Sequence, residues 1–470
     1  MRKNKEQQKK RGGSQLTIFD MLRPEPTGAP TGRTGTALQP GVELLSRLEN
    51  QQTLTNNILE EVVDYGNLNR AFKQVKRNKG SGGIDKMDIK GLRQWMGTHI
   101  KGLCTGLLTE TYKVSPVRKA EIRKPDGGTR VLGIPTVKDR LVQQAIHQQL
   151  ARHYEPYFSK YSYGFRPGRN AHQAILQSSD YIKEGKEWVV DIDLEKFFDK
   201  INHDRLMQRL SKGIGDKRLL RLINAYLKAG MMEGGLTEQR IAGTPQGSPL
   251  SPLLSNIVLD ELDKELERRG HSFCRYADDC NIYVKSEKAG KRVMASIVKF
   301  IEGKLKLKVN QTKSGVRRCS EVKFLGFTLL PEGGIRVADK IIARLKAKVK
   351  EITRRNRGVR FAQVIKELND MIVGWTNYFN LANKWLSDFA HLDGWIRRKL
   401  RCYRLKQRGR RYSIHKFLTG LGVAVKTSWN IVMYSQGWWE MSKKTGVNQA
   451  MNLLWFAQKG LLSLKLSMTV

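Results

Sequence analysis

The spacing of apolar residues predicts a chain in which helices and strands alternate up to about residue 332. Three segments repeat apolar side chains at helical intervals, and they are residues 42–77, Val137–Tyr154 and Leu253–Glu267. Lys79–Asp85 (KGSGGID) interrupts the helical pattern, and its glycines and basic neighbours suit either a linker or a loop that approaches phosphates. The alternation indicates an α/β (α+β) fold.

Five segments have the two-residue alternation or the β-branched and aromatic content that is typical of strands. They are Ala120–Pro135, Trp188–Leu194, Phe273–Val284, Leu305–Gly315 and Phe324–Leu330. The first holds Pro-Asp-Gly-Gly between two strand-like runs, and the third holds Ala-Asp-Asp in the same position. Both patterns predict hairpins, one with a glycine turn and one with two carboxylates at its tip.

The two ends of the chain differ from this alternating part. Residues 1–42 are rich in Gly, Pro, Thr and polar side chains, which predicts a flexible basic arm. After Gly333, an apolar stripe from Phe361 to Phe379 predicts packed helices, and several Trp residues indicate that residues 421–470 are ordered.

The net charge of the chain indicates which class of partner it binds. The chain has 85 Lys and Arg against 44 Asp and Glu, a formal net charge of +41, and so large an excess is best neutralised by a polyanion such as nucleic acid. A membrane surface is the alternative, but no apolar run is long enough to span one. Residues 335–420 alone carry 22 Lys and Arg against 6 Asp and Glu, and Trp395–Arg411 interleaves aromatic and cationic residues. That combination favours base stacking with phosphate contacts over a solvated helix face.

Cysteine and histidine usage argues against a structural zinc site. The 5 Cys include no CxxC pair, and the 8 His form no cluster with them. The odd number of Cys suits a reducing compartment, and the basic N-terminus lacks the apolar core of a secretory signal.

Two acidic pairs are candidates for metal chemistry. Asp278 and Asp279 adjoin at the hairpin tip, where they repel each other unless a cation neutralises them, and Mg²⁺ favours a few carboxylates plus substrate phosphates. An ordinary turn is the alternative for this pair alone. Asp191 and Asp193 project from one face of a largely apolar strand, an arrangement that needs a cation or a solvent-filled cleft.

Other candidate residues lie in loops. Lys124 and Arg130 flank the first hairpin turn about one triphosphate's length apart, and a Gln246-Gly247 step lets backbone approach a flat ligand. Phe165 and Arg166 suit stacking on or pairing with a nucleic-acid strand, with a core position as the alternative for Phe165.

In their order along the chain, the DIDLEKFF strand, the QGSPLSP loop, the YADD hairpin, Lys313 and FLGF resemble the reverse transcriptases encoded by bacterial group II introns. The resemblance spans roughly residues 45–420 and implies a right-hand polymerase with fingers, palm and thumb, followed by a mainly helical basic thumb/X region. GWTNYF and WIRRKLR carry the match to that X region. The regions expected are an arm at 1–42, an N-terminal extension and first finger segment at 43–110, fingers and palm at 111–332, thumb and maturase domain X at 333–420, and a C-terminal nucleic-acid-binding region at 421–470.

The resemblance also implies roles for individual residues. Asp193 and Asp278 would hold two Mg²⁺ ions, with Asp279 tuning the pair and Asp191 as the alternative first carboxylate. Lys313 would act as general acid for pyrophosphate. Lys124 and Arg130 would hold the triphosphate, and Phe198 (with Phe197 next) would exclude a ribose 2′-OH. Gln246 and Gly247 would underlie the nucleotide. Arg397, Arg398, Lys399 and Arg401 would bind intron RNA. Ser248 departs from the Gly common in the family, which leaves its effect on nucleotide packing open.

The implied function is an RNA-directed DNA polymerase that binds its intron RNA, assists splicing and copies the intron into DNA during retrohoming. Its partners would be intron RNA, target DNA, an RNA template with a DNA primer, and dNTPs, in the bacterial cytoplasm near the nucleoid and without a membrane. The lack of paired Cys and clustered His resembles the endonuclease-free class-C type. The alternatives are a reverse transcriptase of a defence or diversity-generating system without a maturase role, and a non-enzymatic RNA-binding splicing cofactor.

Overall fold

The computed structural model describes residues 56–123, 127–233, 236–238, 243–244 and 247–468. The predicted arm at residues 1–42 lies outside this part of the chain, and so do Lys124 and Gln246.

The chain folds as two compact units that interleave along the sequence. Among the described residues, unit 1 comprises those up to Asn170, Asp191–Ile282 and Arg292–Gly315, and unit 2 comprises Ala171–Val190, Tyr283–Lys291 and those from Val316 onward. Strands and helices are mixed in both, followed by a helical C-terminal region, which confirms the predicted fold class.

Helices dominate the described residues. In chain order they are α1 Ile58–Val63, α2 Tyr65–Asn78, α3 Ile89–Leu108, α4 Val137–Tyr154, α5 Ala171–Lys183, α6 Phe197–Lys200, α7 His203–Gly213, α8 Lys217–Lys228, α9 Ser251–Arg268, α10 Glu287–Phe300, α11 Asp339–Ile352, α12 Phe361–Phe379, α13 Leu386–Arg408, α14 Arg411–Thr419, α15 Val425–Tyr434, α16 Trp438–Met441, α17 Thr445–Ala450, α18 Leu453–Gln458 and α19 Leu464–Ser467.

In the part of the chain that the structure describes, the strands form three small sheets. In chain order they are β1 Val117–Arg123, β2 Thr129–Ile134, β3 Trp188–Ile192, β4 Met231–Glu233, β5 Leu236–Glu238, β6 Ser272–Tyr276, β7 Asp279–Val284, β8 Gly315–Arg318, β9 Lys323–Phe324, β10 Phe327–Leu329 and β11 Ile335–Val337. The sheet orders are β2-β1-β4-β5, β6-β7-β3-β8 and β11-β10-β9. The second sheet carries both acidic motifs, because β3 precedes Asp193 and the β6–β7 hairpin carries Asp278.

Helix α4 is the central element of the unit 1 core. Thr136 caps its N-terminus by accepting a hydrogen bond from the Asp139 amide, and most of its side chains are buried. Asn67 is fully buried on α2 and donates to the carbonyl oxygens of Val62 and Ala145, which ties α1 and α2 to α4. A buried amide with such partners fixes the relative placement of the helices, because an alternative packing would leave it unsatisfied.

Several predicted elements are confirmed, and two of the predicted strands are wrong. Helix α4 has the predicted bounds, and α2 ends before Lys79, which has a positive φ of 54°. The predicted strand Leu305–Gly315 is instead a turn-rich segment, because Asn310 accepts hydrogen bonds from Thr312 through its side chain and folds the chain back locally. Phe324–Leu330 is a hairpin of β9 and β10, with Leu325 and Gly326 both at positive φ.

In unit 2, the C-terminal segment packs against the long helices. Asp393 on α13 is buried and accepts from the Ser463 hydroxyl and from the amides of Leu464 and Lys465, where α19 begins. Asn369 on α12 holds the same segment by donating to the carbonyl oxygen of Gly460. No helix in the described ranges combines the length and apolarity that a membrane crossing requires.

These contacts predict that Asp393 is a main anchor of the C-terminal segment. Asp393→Ala leaves the buried Leu464 amide and the partly buried Lys465 amide without an acceptor and should lower the free energy of unfolding by about 1–3 kcal/mol. Urea denaturation measures the loss, and limited proteolysis should show faster cleavage after residue 450. Asp388→Ala, at an exposed position of the same helix, is the control, and equal effects of the two variants would contradict the assignment.

Candidate active site

The YADD hairpin turns sharply at Ala277-Asp278. Ala277 is buried and has a φ of 59°, a left-handed conformation that costs a non-glycine residue about 1–2 kcal/mol. Asp278 follows it as a half-buried residue, and Asp279 begins β7 at an exposed position. The turn thus brings Asp278, rather than Asp279, into the interior edge of the sheet.

Asp193 lies directly after β3, in a segment that is fixed by its backbone. Its amide donates to the Ser314 hydroxyl at 2.9 Å, and its carbonyl oxygen accepts from the Asn310 amide at 2.8 Å. The turn-rich segment that contains Asn310 and Ser314 also brings the Lys313 ammonium to 3.5 Å from the Asp193 carboxylate. The segment that was wrongly predicted as a strand therefore positions Lys313 beside the first carboxylate.

The two carboxylates affect each other electrostatically. Burial raises the pKa of Asp278, and the charge of Asp193 raises it further, whereas Arg130 and Lys313 act in the opposite direction. The charge of Asp191 acts on the buried Cys280 thiol, whereas the Asp193 carboxylate lies 3.5 Å from the ammonium of Lys313, a cation that also acts on Asp278. The structure therefore favours Asp193 over Asp191 as the partner of Asp278.

This donor set fits hard divalent cations. Two mutually repelling carboxylates at a partly buried position gain from a bound cation, because it removes the repulsion. Within the described ranges, no group of three or more His, Cys, Asp and Glu side chains is placed to enclose a metal ion by itself. Mg²⁺ sites commonly use one or two carboxylates and complete their shell with water and substrate phosphates, so two carboxylates suffice.

A cavity of about 530 Å³ in unit 1 is lined in part by Arg130, whose charge also acts to lower the pKa of Asp278. Its lining comprises Val75, Asn78, Lys79, Gly80, Ser81, Arg130, Leu132, Ile134, Arg140, Phe165, Phe198, Gly247, Ser248, Pro249, Ser251 and Pro252. Its volume suits a nucleotide-sized ligand. A larger cavity of about 1790 Å³ also lies in unit 1, but none of the predicted site residues lines it.

Adjacent aromatic residues on α6 have different environments. Phe197 is buried, while Phe198 lines the cavity, and their rings meet edge to face with centroids 5.3 Å apart. The Phe198 carbonyl oxygen accepts from the Thr244 amide, which attaches α6 to the loop that precedes Gly247. Of the two adjacent rings, Phe198 is thus the one that faces the cavity.

Sequence reasoning left the role of the glycine-rich loop open, and the structure places it at the cavity. Arg140 on α4 donates to the Ser81 carbonyl oxygen at 2.5 Å, and Arg118 on β1 donates to the Gly82 carbonyl oxygen at 3.2 Å. A Cβ at Gly83 would lie 2.6 Å from the Thr136 backbone, so only glycine fits there. The two arginines had no recognisable pattern in the sequence, because their loop partners lie 36 and 59 residues away.

The QGSPLSP loop closes another side of the cavity. Gly247 has a φ of 114° and lines it, and Ser248 is buried with its hydroxyl donating to the Gln143 side-chain oxygen. The hydroxyl that distinguishes this chain from the common Gly is thus engaged by α4.

The structure corrects one of the two nucleic-acid contacts predicted in the loop of Phe165 and Arg166. The Arg166 guanidinium is buried and bound to Glu155 and to the carbonyl oxygens of Ser159 and Ser162, so it braces its own loop instead of contacting nucleic acid. Phe165 is 46% exposed and lines the cavity, which excludes the core position considered for it.

The cations of α13 face the C-terminal segment of unit 2. The Arg398 guanidinium lies 3.8 Å from the Trp439 ring centroid, and the Lys399 ammonium lies 4.6 Å from the same centroid. Arg401 is 9% exposed and donates to the Met451 carbonyl oxygen, so its prediction as a direct RNA contact is wrong. Burial lowers the pKa of Arg397, Lys399 and Arg401, as expected for cations withdrawn from water.

Two family models match the chain. Residues 122–329 match "Reverse transcriptase (RNA-dependent DNA polymerase)", and residues 342–418 match "Group II intron, maturase-specific domain". The first contains both carboxylates and the second contains α13 and most of α11. The chain belongs to the group II intron-encoded reverse transcriptases that carry a maturase domain.

Relatives of this family cover the chain to different extents. Protein YkfC of Escherichia coli K12 is 33% identical over 53% of this chain and 75% of that protein. Group II intron-encoded protein LtrA of Lactococcus lactis is 30% identical over 55% of this chain and 54% of LtrA. The putative COX1/OXI3 intron 2 protein of Saccharomyces cerevisiae is 29% identical over 61% of this chain and 40% of that protein. The chain therefore spans about half the length of LtrA and less of the yeast relative.

The contrast between Phe197 and Phe198 gives a prediction about sugar selection. Phe198→Val should raise incorporation of ribonucleotides relative to deoxyribonucleotides by about tenfold or more, because a smaller side chain leaves room for a 2′-OH. Competitive primer extension with matched rNTP and dNTP measures the ratio. Phe197→Leu, in the buried neighbour, is the control, and unchanged discrimination in Phe198→Val would place the selection elsewhere.

Proposed function

We propose that this chain copies RNA into DNA at the centre formed by Asp193 and Asp278. The observation that supports this most strongly is that Asp193, at the end of β3, raises the pKa of Asp278 in the β6–β7 turn, although 85 residues separate them. Its substrates are an RNA template, a DNA primer and dNTPs.

Asp193 and Asp278 would hold two Mg²⁺ ions, which supply activation of the primer 3′-OH and neutralisation of the leaving pyrophosphate. Arg130 binds the triphosphate from β2, and Lys124 is proposed to act with it. Lys313 lies beside Asp193 and donates a proton to the pyrophosphate. Asp279, which is exposed, acts on the pair from outside.

The remaining side chains select and orient the nucleotide. Phe198 closes the cavity against a ribose 2′-OH, and Gly247 allows the loop backbone to approach the base. Gln246, the preceding residue in the sequence, is proposed to act with Gly247. The loop from Lys79 to Gly83 covers another wall and is braced by Arg140.

The maturase region binds intron RNA, assists its splicing and brings the complex to its DNA target for retrohoming. Helix α11 is the best candidate for the RNA contact, because Arg344, Lys346 and Lys350 are all exposed on it. Lys346 and Lys350 also line a groove of about 480 Å³ with Trp395, which offers a ring for stacking. These exposed cations replace Arg401 as the proposed RNA contacts.

The carboxylate assignment predicts a large difference between two neighbouring aspartates. Asp193→Ala should reduce cDNA synthesis on an RNA template on the order of a thousandfold or more, because it removes a metal ligand. Asp191→Ala is the matched control and should retain much more activity, since Asp193, which lies beside Lys313, is the proposed metal ligand and Asp191 is not. A folded Asp193→Ala protein within a few-fold of wild type would contradict the assignment.

The two proposed activities should separate. The double change Asp278→Ala, Asp279→Ala should abolish cDNA synthesis but leave splicing assistance largely intact, because the RNA performs its own transesterifications and needs only to be bound and ordered. The triple change of Arg344, Lys346 and Lys350 to Gln should have the reverse effect. It should also reduce the slope of log K against log salt for RNA binding by about 2–3.

Primer extension, splicing at low Mg²⁺ and filter binding at several salt concentrations provide the measurements, with a group II intron RNA that the wild-type protein binds. Changing Lys288, Lys291 and Arg292 to Gln removes the same charge from exposed positions outside the maturase match. If this control lowers the slope as much, the RNA contact is not on α11. If the folded carboxylate variant loses both activities, the proposal of two separable functions is wrong.

A further inference from the structure

A fully buried arginine lies next to the strained turn of the YADD hairpin. Arg275 is 0% exposed on β6, two residues before Ala277. Its Nε and Nη2 donate to the two carboxylate oxygens of Asp263 on α9, at 2.7 and 2.5 Å. Nη2 also donates to the Ser162 hydroxyl at 2.7 Å. Nη1 donates to the Asn256 side-chain oxygen at 3.0 Å and to the Ala277 carbonyl oxygen at 2.9 Å.

These five hydrogen bonds use all five N–H groups of the guanidinium. Four of them fix the arginine to α9 and to the segment that contains Ser162. The fifth goes to the peptide that joins Ala277 to Asp278, so the orientation of that peptide is tied to the packed core.

A second contact holds the turn from its other side. A Cβ on Gly164 would lie 2.3 Å from the Ala277 amide nitrogen, so the segment can approach the turn only as glycine. Asn256 donates to the Gly164 carbonyl oxygen at 2.8 Å while it accepts from Arg275. The Tyr163 amide donates to the Arg275 carbonyl oxygen. Tyr163, Gly164, Asn256 and Arg275 therefore form a closed ring of contacts around the turn.

We propose that Arg275 is a positioning residue that holds Ala277 in its left-handed conformation and thereby aims the Asp278 carboxylate at the metal ions. The inference rests on the proposed polymerase function. Asp263 and Asn256 act through Arg275, and none of the three touches substrate. Mg²⁺ requires near-ideal octahedral geometry, so a small rotation of the 277–278 peptide weakens metal binding more than it weakens the fold.

A contribution to stability alone is the competing explanation. A buried ion pair is poor at stabilising a fold, because desolvation offsets much of the attraction between its charges. The geometry here adds a bond to a backbone carbonyl in the catalytic turn, which an ion pair that served only stability would not need. The two explanations differ in their effect on Mg²⁺ dependence.

The test is Arg275→Lys, which keeps the charge and loses the planar fork. Its Mg²⁺ concentration at half-maximal cDNA synthesis should rise by about tenfold and its kcat should fall about 10–100-fold, with little change in the KM for dNTP. In the metal-free protein, hydrogen exchange measured by mass spectrometry should increase in the peptide Phe273–Val284. That second readout does not depend on activity.

Two further variants make the test decisive. Ala277→Gly relieves the left-handed strain, so in the Arg275→Lys background it should return the Mg²⁺ midpoint part of the way to the wild-type value. Asn256→Ala keeps the Arg275–Asp263 pair and opens the ring, and it should shift the midpoint in the same direction as Arg275→Lys. Asn256→Ala takes the place of Arg275→Lys in the test if the Arg275→Lys protein does not fold.

Asp216→Ala is the control for lost stability. Asp216 is buried in the same unit and caps α8, and its partners Leu59, Arg218 and Leu219 lie outside the ring. This variant should melt at a lower temperature with an unchanged Mg²⁺ midpoint and unchanged exchange in the hairpin.

The outcomes separate this inference from the proposed function. If Asp278→Ala abolishes cDNA synthesis while folded Arg275→Lys and Asn256→Ala match Asp216→Ala in Mg²⁺ midpoint and hairpin exchange, Arg275 is structural only and the inference is overturned. If the wild-type protein makes no cDNA, the proposed function fails, whereas increased hairpin exchange in Arg275→Lys would still show that Arg275 restrains the turn.

Discussion

The repulsion between Asp193 and Asp278 is the constraint on which the site depends. Each carboxylate is held by backbone that cannot move away from the other: Asp193 by hydrogen bonds to Ser314 and Asn310, and Asp278 by a turn built around a left-handed Ala277. Two charges fixed in this way lose stability unless a cation neutralises them. The placement of these two short backbone segments is therefore the basis for proposing a divalent cation at this site.

The surrounding framework makes this placement rigid. Helix α9 supplies both Asp263 and Asn256 to the catalytic turn, and helix α4 supplies Arg140 to the loop at the nucleotide cavity. The Arg275 guanidinium, with all five of its N–H groups bonded, fixes one arrangement, because any alternative leaves a desolvated donor or acceptor unpaired. The same framework that specifies the fold thus orients the groups proposed for catalysis.

Local patterns made part of this predictable. The bounds of α4 follow from its cap and its apolar periodicity, and the spacing from Asp193 to Phe198 and the YADD motif are contiguous in sequence. The partners of Arg275 are not, since they lie up to 113 residues away. The prediction of Arg166 and Arg401 as nucleic-acid contacts failed for a related reason. A cationic side chain fits such a contact as long as its buried hydrogen-bond acceptors are unknown.

A structure of the protein with an RNA template, a DNA primer, Mg²⁺ and a non-hydrolysable dNTP analogue tests the central claim most directly. The account predicts two ions that both contact the Asp193 and Asp278 carboxylates, with Asp191 bound to neither. Ions coordinated by Asp191 in place of Asp193, or an Asp278 carboxylate directed away from the triphosphate in the assembled complex, would contradict it.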